Sequence, residues 1–272
     1  MQQCRMPRSR VARGVVLLVP FLAAGSPLFA QKTLEQRQPL ELLFADSIVP
    51  QDRHELMSTT GMWHTRDEGA RNKALTQKIE WGISDQLQIA AFAPIWQQRT
   101  IAGARNSGFG DLEIGARFSW PRGGSDVTHI AVALDAGLPT GNLTRGLGSG
   151  TYAFSPSVLL SRELKEGAWQ VFSTTGVELV ARRRHHAGAE EEENVSFSND
   201  GVSFHIGPGW AVGEVQWIRG DRGRREVSIA PSYVWRLARR CEFLVGFPMG
   251  ITDSAERLSV VAKFTFELGG DD

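Results

Sequence analysis

Residues Asp111 to Trp120 read DLEIGARFSW. Leu112, Ile114, Ala116, Phe118 and Trp120 fall on one parity, and Asp111, Glu113, Gly115, Arg117 and Ser119 on the other. An extended strand sends successive side chains to opposite faces, so this stretch has one apolar and one wet side. Wound as a helix, the same residues would scatter both classes around the axis.

The pattern recurs. Leu258, Val260, Ala262, Phe264, Phe266 and Leu268 oppose Ser259, Lys263, Thr265 and Glu267, with Val261 as an exception. Val227, Ile229, Pro231, Tyr233, Trp235 and Leu237 alternate with Ser228, Ala230, Ser232, Val234 and Arg236, and Ile130 to Leu138 alternates likewise around Ala131, Ala133, Asp135 and Gly137. Globular strands average about five or six residues, whereas a tilted strand crossing a bilayer needs about 9 to 11. These runs have the longer length. The fold expected is all-β: a transmembrane, antiparallel, up-and-down β-barrel of about twelve strands, apolar side outward and polar side toward an enclosed lumen.

The expected strands lie near residues 54–64, 73–83, 86–96, 109–120, 126–138, 151–162, 167–180, 195–211, 213–220, 225–237, 241–249 and 256–268. Short links, such as Ser84-Asp85 and Val212-Gly213, alternate with longer ones, such as Gln97 to Gly108, Pro139 to Gly150 and Ala181 to Asn194. Outer-membrane barrels have short periplasmic turns and long outside loops, and an even strand count returns both ends to the periplasm. Most of the eight tryptophans fall near expected strand ends, where interfacial belts form. Pro208 and Pro231 lie inside expected strands although proline donates no ladder bond, so they mark bulges or displaced register.

The front of the chain has different chemistry. Arg5, Arg8, Arg10 and Arg13 precede the apolar run Gly14 to Ala24 and a short break ending Leu28-Phe29-Ala30. This is the layout of a cleavable signal peptide, residues 1–30, with the cut after Ala30; its apolar run is short for a bilayer span. The whole chain balances 30 basic against 30 acidic residues, and loss of those four arginines leaves a formal charge of −4. No basic face calls for nucleic acid. Cys4 precedes the apolar run and Cys241 would remain alone, so no internal disulfide is expected. Residues 31–51 form an N-terminal segment on the periplasmic side, open between a plug, an arm and disorder, with Leu40-Glu41-Leu42-Leu43-Phe44 as a candidate ordered stretch. The barrel is expected over 52–268 and a tail over 269–272.

Glu80-Trp81-Gly82-Ile83-Ser84, Gly108-Phe109-Gly110-Asp111, Leu138-Pro139-Thr140-Gly141 and the ending Phe264-Thr265-Phe266-Glu267-Leu268 follow one another in order. With them, residues 52 to 268 resemble the outer-membrane transporter-like barrels named for the MetA pathway of phenol degradation. The resemblance implies an outer-membrane barrel and uptake or passage of small, hydrophobic compounds; it supplies no catalytic residues. The ending Gly269-Gly270-Asp271-Asp272 lacks the terminal aromatic that the barrel-assembly machinery commonly reads, leaving Phe266 to serve from an internal position.

The candidate lumen-lining residues are Asp111, Glu113, Arg117, Asp135, His205, Arg236, Lys263 and Glu267. Their mixed signs suit either a weakly selective, porin-like passage or an internal network that closes the lumen and leaves a structural or adhesive barrel. His185-His186, between Arg182-Arg183-Arg184 and Glu190 to Glu193, read as a solvated outer loop rather than a metal site, and no metal or cofactor is expected. A lipid hydrolase is the enzymatic alternative. Ser173, Ser203, His129 and His205 show no spacing that joins them, and no Gly-x-Ser-x-Gly elbow occurs, so no enzyme is expected. Expected partners are outer-membrane lipid, lipopolysaccharide, the assembly machinery and a small solute. The place expected is the outer membrane of a Gram-negative bacterium, reached by export through the inner membrane; oligomeric state is left open.

Overall fold

A computed structural model describes residues 38–48, 50–67, 70–101, 103–120, 128–164, 168–180 and 193–269. The signal-peptide reading of 1–30, the His185-His186 loop and the last three tail residues lie outside the described residues.

The strands are β1 Leu56–Asp67, β2 Ala70–Gly82, β3 Leu87–Ile101, β4 Ala104–Gly108, β5 Leu112–Ser119, β6 Thr128–Leu138, β7 Ala153–Leu164, β8 Trp169–Val180, β9 Val195–Ile206, β10 Gly209–Gly220, β11 Arg225–Ala238, β12 Cys241–Gly246, β13 Met249–Gly250 and β14 Leu258–Leu268. All pairings are antiparallel, each stave meets its sequence neighbour, and β14 closes on β1 from Leu56↔Leu268 to Arg66↔Leu258. β4 and β5 pair with successive parts of β3, and β12 and β13 with successive parts of β11, so each pair is one interrupted stave. The fourteen segments therefore make a closed barrel of twelve staves. Closure matters in hydrocarbon, where an unpaired strand edge would leave backbone groups without partners.

Exposure fixes which face is which. Ile114, Leu134 and Phe264 are 46, 52 and 42% exposed, while Arg117, Ala131 and Lys263 are at most 8% exposed. The apolar parity faces outward, as lipid requires. Trp81, Trp96, Trp120, Trp169 and Trp217 are exposed with it, but Trp210 is buried inside and Trp63 packs against the interior cluster. Those two do not belong to the belts expected from strand ends.

Three boundaries differ from expectation. The turn between the eighth and ninth expected strands is Gly207-Pro208, with Gly207 at φ +58°, and not Val212-Gly213. A proline without a ladder donor belongs in that turn, and the ninth strand becomes a full twelve residues. The outside link expected over 97–108 is instead a hairpin in which β3 and β4 pair out to Ile101↔Ala104. The link expected over 65–72 is likewise laddered, to Asp67↔Ala70. Pro231 faces the break between β12 and β13, its carbonyl accepting from the Phe247 amide at 3.0 Å, so its missing donor falls where the ladder stops.

Candidate functional site: a plugged lumen

The segment ahead of β1 lies inside the barrel. Its backbone has no secondary structure of its own, so its amides need partners from the wall. Glu214, on the inner face of β10 and 2% exposed, supplies three. Its carboxylate accepts from the amides of Leu43 at 2.9 Å, Phe44 at 2.8 Å and Ala45 at 2.9 Å. Glu242 on β12 accepts from the Leu40 amide at 2.8 Å, and Asn199 on β9 donates to the Phe44 carbonyl at 2.9 Å. Gln88 on β3 accepts from the Gln51 amide at 3.1 Å. Bonds with one ionised partner are the stronger class, about 1.5–3 kcal/mol each.

Ion pairs bind the same segment. Glu41 meets Lys263 at 2.9 Å and Lys78 at 3.3 Å; Asp46 meets Lys78 at 3.1 Å and Arg117 at 3.5 Å. Arg117 also donates to the Ser47 carbonyl, and Ser119 to that of Ile48. Burial pushes the Glu41 carboxyl up, but Lys263 and Lys78 outweigh it and hold the group below the ordinary carboxylate range. The Asp46 carboxyl is likewise held below its ordinary range, Lys78 and Arg117 outweighing its desolvation.

Apolar contacts complete the seat. Leu42, Leu43 and Ala45 form one buried cluster with Phe172, Trp210, Val212, Ala230, Val234, Leu244 and Val261, and Phe44 and Trp63 pack against it. These wall residues sit on the parity that should be polar. Val261, the exception in the last strand, is apolar because the plug covers it. Ile48 makes a second cluster with Ala131 and Leu159.

The sequence-derived candidates divide accordingly. Arg117 and Lys263 touch the segment directly. Arg236 reaches it through Glu242, at 3.0 Å, and lies 4.3 Å over the Trp210 ring. His205 meets the same ring edge-on at 5.6 Å. Glu267 lies opposite the buried Met57 near the mouth that carries the chain ends. Glu113 and Asp135 stand on the inner wall, and the Asp135 carboxylate occupies the space that a Cβ on Gly115 would need. Asp111 has a separate task. Its two oxygens accept from the Gly141 amide at 2.7 Å and the Ser149 amide at 2.6 Å, while Thr140 donates to the Gly110 carbonyl at 3.2 Å. The Gly108–Asp111 and Leu138–Gly141 motifs therefore form one clasp that folds residues 141–149 against the wall at the other mouth. Of the serine–histidine candidates, Ser203 is buried inside with His205 on the same parity of β9, whereas Ser173 shares the outward parity of Val171.

Glu214, Glu242, Lys78 and Asn199 were missed. Glu214 and Asn199 lie on strands whose shared turn sits at Gly207-Pro208, five residues ahead of the expected one, and Lys78 alternates inward with Glu80 on β2. The available signal was a set of apolar residues on the wet parity, together with Leu40 to Phe44 upstream.

A cavity of about 1060 Å³ is lined chiefly by residues of β6 to β11, with none from the plug. One register row of the inner wall, Ala133–Ser157–Gly176–Phe197–Ile218–Glu226, runs along it. Four of those six side chains are small or polar, and Phe197 and Ile218 make an apolar patch.

Residues 67–268 match the sequence family described as "Putative MetA-pathway of phenol degradation". The crystal structure of an outer membrane channel from Pseudomonas putida F1 superposes with a TM-score of 0.70 at 10% identity, over 84% of this chain and all of that one. The NanC porin follows at 0.54 and 10% identity, over 78% of this chain and all of its own. At such identities the likeness is one of fold. No curated protein sequence matches the chain.

Proposed function

The chain belongs to that phenol-degradation family of outer-membrane barrels, and from this premise we propose that it is a passage for small, partly hydrophobic solutes, closed by its own N-terminal segment. The first 30 residues export it, and the barrel then sits with both ends in the periplasm. The observation that carries the reading is the seat of residues 40–48. Nearly every strong bond of that segment runs to side chains of the wall, chiefly Glu214, Lys263, Lys78 and Arg117. The segment is held by apolar contacts as well, but a carboxylate gripping bare amides can exchange them for water when the segment leaves.

The apolar patch at Phe197 and Ile218, set among small neighbours, suits an aromatic or short aliphatic solute with a polar end. The second reading, a non-conducting barrel, is favoured by the same plug if it never leaves. Planar-bilayer conductance and liposome swelling, with full-length protein and with a variant lacking residues 38–48, separate the two. Openings and solute entry on deletion support the passage. A deletion barrel that keeps heat-modifiable migration yet never conducts overturns it.

A further inference from the structure

We propose that the outer rim of β1–β4 is a binding site for the lipid A phosphates of lipopolysaccharide, a reading independent of whether the lumen conducts. The register builds it. On the outward face, Arg66 pairs directly with Arg71, Arg71 with Thr100, and Thr100 with Arg105, so one row across four strands carries three arginines. Two residues toward the membrane centre, His64 pairs with Lys73 and Lys73 with Gln98. The next row is Met62–Leu75–Trp96, of which Met62 is 63% exposed and Trp96 41%. Successive rows are about 7 Å apart. The outer wall therefore passes from apolar, through an interfacial tryptophan, to concentrated positive charge within about 14 Å.

These strand ends lie at the mouth opposite the chain termini, which in an outer-membrane barrel is the outer-leaflet side. Like charges directly across a strand pair repel, and among the described residues no carboxylate pairs with Arg66 or Arg71 to offset it. Among the described residues, Arg66, Arg71 and Lys73 form no ion pair, and Arg105 bonds only the neutral Gln98, at 2.7 Å. Asp67 borders the same open groove of about 1240 Å³, which continues over the apolar side chains of Ile251 and Leu258. Guanidinium forks match phosphate oxygens two at a time, and basic clusters at the membrane surface recognise anionic headgroups. A lipid whose phosphates sit at the headgroup level and whose acyl chains run down past Leu258 and Met62 satisfies both parts. Lipid A is the anionic lipid of that leaflet.

Native mass spectrometry of the full-length protein in detergent tests this, by titration with bisphosphorylated lipid A, dephosphorylated lipid A and phosphatidylglycerol. The expected result is a one-to-one adduct with bisphosphorylated lipid A, weakened at least tenfold on removal of its phosphates and matched neither by dephosphorylated lipid A nor by phosphatidylglycerol. Combined Arg66→Ser, Arg71→Ser and Arg105→Ser should weaken the adduct by at least tenfold. The equally charged change Arg53→Ser, Arg239→Ser and Arg240→Ser at the opposite mouth should leave it intact. Heat-modifiable migration establishes that each barrel is folded, and the lipid comparison on the unaltered protein needs no variant. Equal binding of dephosphorylated lipid A or phosphatidylglycerol, equal loss in the opposite-mouth variant, or full binding by the rim variant would overturn the site.

Discussion

Glu214→Ala isolates the strongest grip on the plug. The carboxylate accepts three amides at 2.8–2.9 Å from a wall position that is 2% exposed. Alanine leaves the amides of Leu43, Phe44 and Ala45 inside the barrel without that acceptor. Each buried donor left unpaired costs about 1–3 kcal/mol, so even the low end gives about 3 kcal/mol against the plugged state. At 1.4 kcal/mol per tenfold, the ratio of withdrawn to seated segment should rise roughly a hundredfold. The barrel ladder involves only backbone and is untouched. Single-channel recording should show open probability rising by that order, and protease added from the terminal side should cut within residues 38–48 correspondingly faster. Glu214→Gln, which keeps one acceptor oxygen, should lie between. If Glu214→Ala gives a heat-modifiable, folded barrel with open probability and protease resistance unchanged, the carboxylate grip does not hold the plug and the reasoning fails.

Acid should loosen the segment late. The seated Glu41 and Asp46 carboxyls are held below their ordinary values, so the stabilisation they add is present above the ordinary carboxylate pKa of about 4 and is lost as pH falls through the lowered values. Their contribution to closure should persist to about pH 4 and fade only below it, and Glu41→Gln should remove its share at neutral pH; conductance across a pH series reads both. Gly246→Ala places a Cβ 2.2 Å from the Leu43 Cδ1, an overpacking of about 1–3 kcal/mol that should raise open probability by about fivefold to a hundredfold. Adding Leu43→Ala should reverse part of that rise, and a barrel that conducts alike in both variants would contradict the contact. Leu134→Arg puts a charge on a lipid-facing side chain that is 52% exposed near the middle of β6, and should cost about 2–4 kcal/mol in denaturant-dependent folding into bilayers.

Alternation in DLEIGARFSW and its relatives was enough to read the barrel, its strand number and its outward face. Parity is a local property of a strand, and a bilayer imposes its thickness on every strand alike. Even the misplaced Val212-Gly213 turn left the count at twelve, because moving it to Gly207-Pro208 lengthened one strand and shortened another. Arg117 and Lys263 were recognisable as inward charges for the same local reason. What they hold was not. Their partners Glu41, Asp46 and Ser47 lie 70 or more positions away in sequence, on a stretch with no periodicity to place it. Only closure of the barrel gathers Phe172, Trp210, Val234, Leu244 and Val261, from five different strands, into one seat. The same applies to the clasp of Asp111 on Gly141, and to the row of Arg66, Arg71 and Arg105, which exists because register sets β1 to β4 side by side. Local chemistry decided the wall; which side chains meet across it was decided by pairing that only the folded barrel supplies.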